Sequence, residues 1–432
     1  MERNLRLLNW WWWSRWFWLG EGIWVVFLLE ERGVTLGQVL LFEGVWAGTV
    51  LLMEVPSGVA ADRFGRRPVL LLAGVVGAAA MFTFGLGGGL IVLLAAYAGL
   101  GITDASFSGA ESALLYDTLE PLERTDEFEP RLGRLNALIM AGFAGMTVTG
   151  SLMVRWTPLA TPILLSGALT LPSLLLMWKM TEPPRRLDRS SLRAIGGAAL
   201  GRVLRTRSMW AVVLLNTVAT LAIIFMAILQ QPVLLNLGFP AWSLGIFIAG
   251  QMLVGAAASW LAGAVGARAG LRWLFLVVPL ASSLALLAGI PDVAWLYALF
   301  LFPAAGFHLM FPHTSGFLSR RVTERERATV VSISSMVASA TSMVVTPSLG
   351  LVVDRASLDT ALLCASLGLT ALTLLAYLAW ATAGDVRRDP PRAPVSDDVL
   401  DVGFERAPLG ADRAGDAAEA PPPTLAGADA DA

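Results

Sequence analysis

Five carboxylates interrupt long apolar runs of this sequence: Glu21, Glu43, Glu54, Asp104 and Glu111. Acids inside such runs default to ligand contacts or proton relays, because a charge there is costly to keep. Loss of water penalises the ionised form of a carboxylate. The same acid can then be charged while it faces water and neutral while occluded, which is the chemistry of proton coupling. Glu21 sits near the middle of the first run, between Gly20 and Gly22. Asp104 and Glu111 are seven residues apart, a spacing that puts both on one face of a helix. Glu43 and Glu54, eleven apart, fall within about 20° of each other on the second run. Glu43 lies toward the outer end of that run, where an acid costs little. The alternative for each acid is a structural hydrogen bond to a neighbouring helix. The second half of the chain offers Asn216, Gln230, Gln231, Gln251, His308 and His313 instead. The division points to coupling by Glu21, Asp104 and Glu111, with polar substrate contacts such as Asn216, Gln230 and His308 shared by the second half.

Metal and covalent chemistry are not indicated. His308 and His313 are the only histidines, and five residues place them about 140° apart on a helix. They form no two-histidine metal pair. His308 either lines a cavity and titrates near neutrality or is a packed, hydrogen-bonded side chain. Cys364 is the single cysteine, which excludes a disulfide within the chain and a multi-cysteine metal site. Neither a nucleophile–base set nor a phosphate loop is present. The chain is therefore not expected to be an enzyme or to need a cofactor.

The elements that must hold these acids are membrane helices. Of 432 residues, 56% are hydrophobic and 15% charged, against roughly 25% charged in a soluble domain. Twelve runs approach the ~20 residues that cross a bilayer, from Trp10–Leu29 to Leu358–Thr382. With both termini placed in the cytoplasm, 27 of the 31 lysines and arginines fall on that side, as the positive-inside rule requires. Arg32, Arg155 and Arg355 fall outside, and Arg15 lies within the first run. That run continues past Leu29 without a small-residue cleavage site, so it reads as a retained span rather than a signal peptide. Trp10 to Trp13, Trp16 and Trp18 read as an interfacial belt. Trp24 and Trp46 read as lipid-facing, with stacking on an aromatic solute as the alternative. Gly44 with Gly48, and Ala141 with Gly145, are spaced for close helix approach.

The chain divides into an N-terminal six-helix bundle (1–180), a cytoplasmic linker (181–208), a C-terminal six-helix bundle (209–383) and a tail (384–432). The linker is arginine-rich. It is either a solvated connection or, over Ser191–Val203, a helix lying on anionic lipid. The tail, rich in Asp, Ala and Pro, is expected to be disordered and cytoplasmic.

One stretch organises the rest. Between Pro56 and Pro68 runs the pattern G-x-x-x-D-R-x-G-R-R, formed by Gly58, Asp62, Arg63, Gly65, Arg66 and Arg67. It is expected to be a charged turn between the second and third spans. A second copy, Gly263 to Arg272, follows 205 residues later and pairs Gly65 with Gly270, but has Ala267 in place of Asp62. A six-plus-six duplication with a long middle loop is a known transporter plan.

The pattern resembles the loop signature of the major facilitator superfamily. Ser108–Asp117, Gln231-Pro232 with Gly238, Arg327–Ser332 and Pro347–Gly350 resemble pieces of its bacterial drug-exporter-like branch. The resemblance covers about Leu5 to Thr382. It implies an all-α membrane protein with twelve helices in two six-helix bundles around a central cavity that opens alternately to each side. It further implies that Asp62 caps the start of span eleven near Thr329, and that Arg66 or Arg67 pairs with Asp117. Glu54, just before the signature, is expected at the inner gate. The implied activity is secondary transport of a small solute in the plasma membrane, as a monomer and without nucleic acid. Proton-coupled export of an amphiphilic compound is the first expectation. Symport of a sugar or metabolite, and a non-transporting sensor, are the alternatives. The chain departs from proton-coupled exporters in two places. Ile91–Tyr116 contains no arginine, and Gly142, Gly145 and Gly150 lack the accompanying proline.

Overall fold

The computed structural model describes residues 1–15, 17–184, 200–323 and 326–384. The tail from 385 on, most of the linker and Trp16 lie outside the described residues. The expectations of a disordered tail and of a lipid-lying helix therefore fall largely outside them too.

The described residues are helical, without a strand. Inside a bilayer every backbone N–H and C=O needs an internal partner, which a helix supplies within one segment. Ten of the described helices are long and apolar enough to cross a membrane. The tenfold count becomes the expected twelve spans for two reasons. Ala241–Ala285 is two spans joined through a kink at Gly270. The first span is broken and so escapes the length criterion.

Four expected boundaries need correction. Span one is not a continuous helix. It consists of Glu2–Ser14, an irregular stretch, a short turn at Trp24–Val26 and a π-helical turn at Phe27–Glu31. The link from Pro56 to Pro68 shrinks to one residue. Span two runs Leu36–Phe64, span three starts at Arg66, and Gly65 turns the chain with φ 111°. Span four bends where Leu90–Phe107 gives way to Ala110–Leu119, with Gly109 at φ 70°. Span five begins at Phe128, about two turns before the start of the hydrophobic run at Leu135.

The repeat is structural as well as sequential. Glu2–Glu31 and the unbroken helix of span seven, Arg207–Asn236, begin and end 205 residues apart. Spans two and eight start at Leu36 and Ala241, the same offset. Gly33 pairs with Gly238, and Gly65 with Gly270, each at positive φ. A left-handed backbone is one that glycine adopts without a Cβ penalty, so the two copies turn by the same device.

The apolar cores tell how the halves meet. One cluster draws on both, with Val25, Phe42 and Tyr97 beside Phe225, Tyr297 and Leu349. The other two belong to one half each: Leu5, Trp11, Leu115 and Met177 in the first, Met209, Phe275, Phe317 and Trp380 in the second. The halves thus share a core at the end that carries Thr35 and Asp354. They keep separate cores at the end that carries the Gly65 turn. At the shared end the Thr35 hydroxyl donates to Asp354 Oδ2 at 3.0 Å and the Gly37 N–H to Oδ1 at 3.1 Å. Gly44 sits on Pro347 and Gly48 on Met343, so the expected close approach at this pair holds. Gly145 faces open space instead. The residue of span five that needs to be glycine is Gly150, where a Cβ would meet the backbone carbonyl of Leu19.

The tryptophan belt is also corrected. Trp11 and Trp12 are each 1% exposed and pack inside the first-half core, whereas Trp10 is 66% exposed.

Gly150→Ala is expected to destabilise the protein by about 1–3 kcal/mol, the usual cost of overpacking. Gly145→Ala on the same helix serves as control and does not destabilise, since its Cβ meets no neighbour within 4 Å and alanine is the better helix former. Unfolding of the purified proteins in detergent checks the difference.

Candidate functional site

The break in span one opens onto a cavity of about 380 Å³. Leu19 leaves the helix and its N–H donates to Ser166 Oγ at 2.8 Å. Beyond it, the N–H groups of Val25 and Val26 donate to Gln231 Oε1 at 3.1 and 3.3 Å, and Gln231 Nε2 donates to the Glu21 carbonyl at 3.1 Å. These contacts replace helical bonds that the break removes, as membrane depth demands. The released segment turns Arg15, Phe17, Trp18, Glu21 and Trp24 toward the cavity.

Three carboxylates line this space: Glu21, Glu43 and Asp104. Trp18 Nε1 donates to Glu21 Oε2 at 2.9 Å, and Trp46 Nε1 donates to Asp104 Oδ2 at 2.8 Å. Glu43 receives no hydrogen bond or ion pair from the described residues. Aromatic rings form most of the remaining wall. Tyr97 stands 6.5 Å from Trp24 and 5.6 Å from Phe84, edge-on to the latter. Trp18, Trp46, Phe107 and Phe143 complete the lining with small and aliphatic residues of spans three to six. The second half contributes only Ile224, Ala227 and Ile228, all from span seven.

Arg15 lies at one margin of the cavity. Its guanidinium is 3% exposed and forms an ion pair with Glu111. It also sits 5.1 Å from the ring centres of Trp11 and Phe107 and 5.4 Å from that of Trp12. Burial of a lone charge is strongly unfavourable, and a buried partner is what makes it tolerable. The arginine that span four lacks is thus supplied near Asp104 and Glu111 from span one.

The predicted residues divide cleanly. Glu21 and Asp104 meet at the cavity. Glu111 stands behind Arg15 and does not line it; the bend at Gly109 breaks the single helical face expected of Asp104 and Glu111. Glu43 lines the cavity rather than the interface, and so do Trp24 and Trp46 rather than facing lipid. Asn216, Gln230 and His308 are absent from the lining. The Asn216 side chain accepts from Thr314 at 3.2 Å, and Gln230 accepts from the Tyr297 hydroxyl at 3.3 Å. His308 packs against Gly255 and edge-on to Phe307, and His313 bonds to the Ala262 carbonyl at 2.9 Å.

The loop residues gather at the other end. Arg66 pairs with Asp117 at 2.6 Å. The N–H groups of Arg66 and Arg67 donate to the two oxygens of Glu182 at 2.8 and 2.9 Å. An anion at the start of span three suits the positive end of its dipole. The Arg67 side chain donates to the carbonyl of Met177 at 3.2 Å. Asp62 and Arg63 are exposed on the last turn of span two, with Arg63 over the Phe64 ring at 5.4 Å. Gly58 has open space around it, and the Glu54 carbonyl accepts from Ser57 at 3.2 Å.

Sequence reasoning passed over Arg15 and Glu182, set Glu43 toward the outer interface, and offered Gln231 only as one of several polar groups of the second half. Two had signals: Arg15 is the lone basic residue inside a span, and Trp46 follows Glu43 at the i, i+3 spacing of one helical face. Glu182 and Gln231 act across the fold and had none.

The sequence matches the family model of the Major Facilitator Superfamily over residues 17–249, more than half of the chain. No curated protein matches it. Among solved structures, the nucleoside transporter NupG superposes with a TM-score of 0.75 at 12% identity, covering 88% of this chain and 100% of that one. A bacterial homologue of the human lysosomal transporter Spinster, in an inward-facing and unoccupied conformation, gives 0.70 at 15% identity, over 90% and 98%. An auto-inhibited POT family peptide transporter gives 0.67 at 13%, over 91% and 98%. These likenesses establish the fold, twelve helices in two bundles around a cavity. With the family match, they make this chain a multi-pass membrane transporter, not an enzyme, and a member of the major facilitator superfamily.

Proposed function

We propose that the protein is a proton-coupled secondary transporter that exports an amphiphilic organic cation across the plasma membrane, with both termini cytoplasmic. The observation that carries this reading is one cavity that combines three carboxylates with a mostly aromatic wall. Aromatic faces attract desolvated cations, and the carboxylates supply the opposite charge. Arg15 offsets Glu111, which leaves Glu21, Glu43 and Asp104 to be neutralised by cargo or protons. A sugar would need polar partners around its hydroxyls, and the amides of Asn216 and Gln230 are engaged elsewhere.

The roles follow from the partners. Glu43 has no protein partner among the described residues and receives the cargo's charge, beside Trp46 and Tyr97. Glu21 and Asp104, each held by an indole N–H, exchange protons. Protonation neutralises the acids and releases the cation; loss of the proton on the other side restores the site. Alternating access changes which face the cavity meets, with the shared core as the closed end in this structure. The Gly65 turn gates the opposite end. Asp62 caps the start of span eleven in the alternative state, and the Arg66–Asp117 pair fixes the turn to span four.

Proteoliposomes with an imposed pH gradient test the central claim. Ethidium or tetraphenylphosphonium should accumulate with accompanying proton flux, while a neutral aromatic solute of like size should not. Glu43→Gln is expected to weaken cation binding by about tenfold or more, the scale of one lost charge-assisted contact. Glu21→Gln is expected to abolish dependence on the gradient, and unchanged export in that variant would overturn the coupling assignment.

Asp62→Asn should cut transport at equal expression while leaving cation binding intact, because Asp62 is exposed and does not line the cavity. Wild-type transport in Asp62→Asn would remove it from the gate.

A further inference from the structure

We infer that Gln231 is a positioning residue: it holds the break of span one, and therefore Glu21, to the second half of the protein only while the shared end is closed. The inference rests on the alternating-access reading, but not on the identity of the cargo.

The break is suspended between two anchors. Ser166, from the same half, takes the Leu19 N–H. Gln231, from span seven of the other half, takes two N–H groups and supplies one. Its side chain is fully buried, at 0% exposure. Val25 and Val26, whose N–H groups it caps, are also at 0%, so water does not reach these groups in this state. The amide is suited to the task because it offers an acceptor and two donors at once, whatever the pH. It bridges the carbonyl on one side of the break and the N–H groups on the other.

The two halves are equivalent in sequence offset, yet only one is broken. Val26 and Gln231 occupy corresponding positions, 205 residues apart. Span seven runs through as one 30-residue helix. Glu21 has Met226 as its counterpart. The continuous helix thus acts as the fixed member, and the broken one carries the acid.

Opening the shared end moves span seven away from span one. The N–H groups of Val25 and Val26 and the Glu21 carbonyl then lose their partners together. A buried polar group without a partner is strongly unfavourable. The segment must rewind toward a helix or admit water, and either change alters where the Glu21 carboxylate points. Trp18 belongs to the same released segment and moves with it. Closure of one end and placement of the coupling acid are therefore one event. Gln230, the neighbour that the sequence put forward as a substrate contact, has the less active part: it accepts from the Tyr297 hydroxyl within its own half.

The test uses two readouts in the full-length protein, neither of which needs the cargo. In a Cys364→Ala background, Ala227→Cys places a reporter thiol in the cavity. Labelling by a membrane-impermeant maleimide is followed in whole cells and in inverted vesicles, so that each face is presented in turn. Reaction of Glu21 with dicyclohexylcarbodiimide, read by peptide mass spectrometry, reports its placement, with Glu43 as internal reference. Gln231→Leu removes all three hydrogen bonds. It should raise labelling from the face bearing Thr35 by about fivefold, the scale of one net hydrogen bond, and shift the reactivity of Glu21 relative to Glu43. Gln231→Glu keeps the acceptor for Val25 and Val26 and, when ionised, cannot donate to Glu21. It should shift Glu21 reactivity with a smaller effect on labelling. Should Gln231→Leu fail to fold, Gln231→Glu and Gln231→Asn carry the comparison. Unchanged labelling and unchanged Glu21 reactivity in the folded variants would overturn the inference. Because neither readout involves transport, a failure of cation export would leave this result standing, and the reverse is also true.

Discussion

Everything at the site depends on one rule of the bilayer interior: a backbone group that leaves its helix must find another partner. Span one breaks that regularity between Ser14 and Trp24, at the depth of the cavity. The break frees a short segment that aims Arg15, Trp18 and Glu21 inward. Its cost is met by Ser166 on one side and Gln231 on the other. Close packing completes the support, since Gly150 leaves room for the Leu19 carbonyl and Gly22 lies against Ser151 and Gly245. Discontinuous helices serve other transporters as binding sites for the same reason.

The rule also explains the unequal halves. Duplication gave both the same turns, at Gly33 and Gly238 and at Gly65 and Gly270. The first half then holds every acid of the cavity, and the second lends it only aliphatic residues of span seven. A half that carries charges in an apolar setting needs local partners for them, hence the indoles of Trp18 and Trp46 and the rings around Arg15. A half that serves as a wall needs none. The shared core at one end and separate cores at the other make a rocking motion mechanically simple. One contact surface closes as the other opens, and each half keeps its own packing at the open end.

Charge placement follows the environment rather than the helix number. Span four carries no arginine of its own, and Arg15 of span one meets its Glu111 directly. A buried pair of this kind is retained for geometry more than for stability, since apolar replacements often do as well energetically. Here the geometry fixes the bend at Gly109 against the break in span one. It also keeps a positive charge beside Asp104, at the margin of a cavity otherwise lined by acids.

Composition, arginine placement and the duplicated loop were enough to determine a polytopic helical protein with twelve spans and a two-copy plan. The Arg66–Asp117 pair was legible too, because the family resemblance carries it and both residues flank turns. What the tertiary structure decided was which apolar residues face a cavity and which face lipid. Lipid and an aromatic cavity select the same side chains, so hydropathy could not separate Trp24 and Trp46 from membrane-facing residues, nor assign Glu43 to the interior. The same ambiguity hid the break in span one, whose Trp, Phe and Leu residues read as one continuous run. Gln231, Glu182 and Arg15 act through partners that only folding brings near: 210 residues separate Gln231 from Glu21, and 116 separate Glu182 from Arg66. Local spacing carries no record of such contacts. Sequence periodicity encodes which segments become helices, whereas the partners of a buried charge or an unpaired backbone group are chosen by packing.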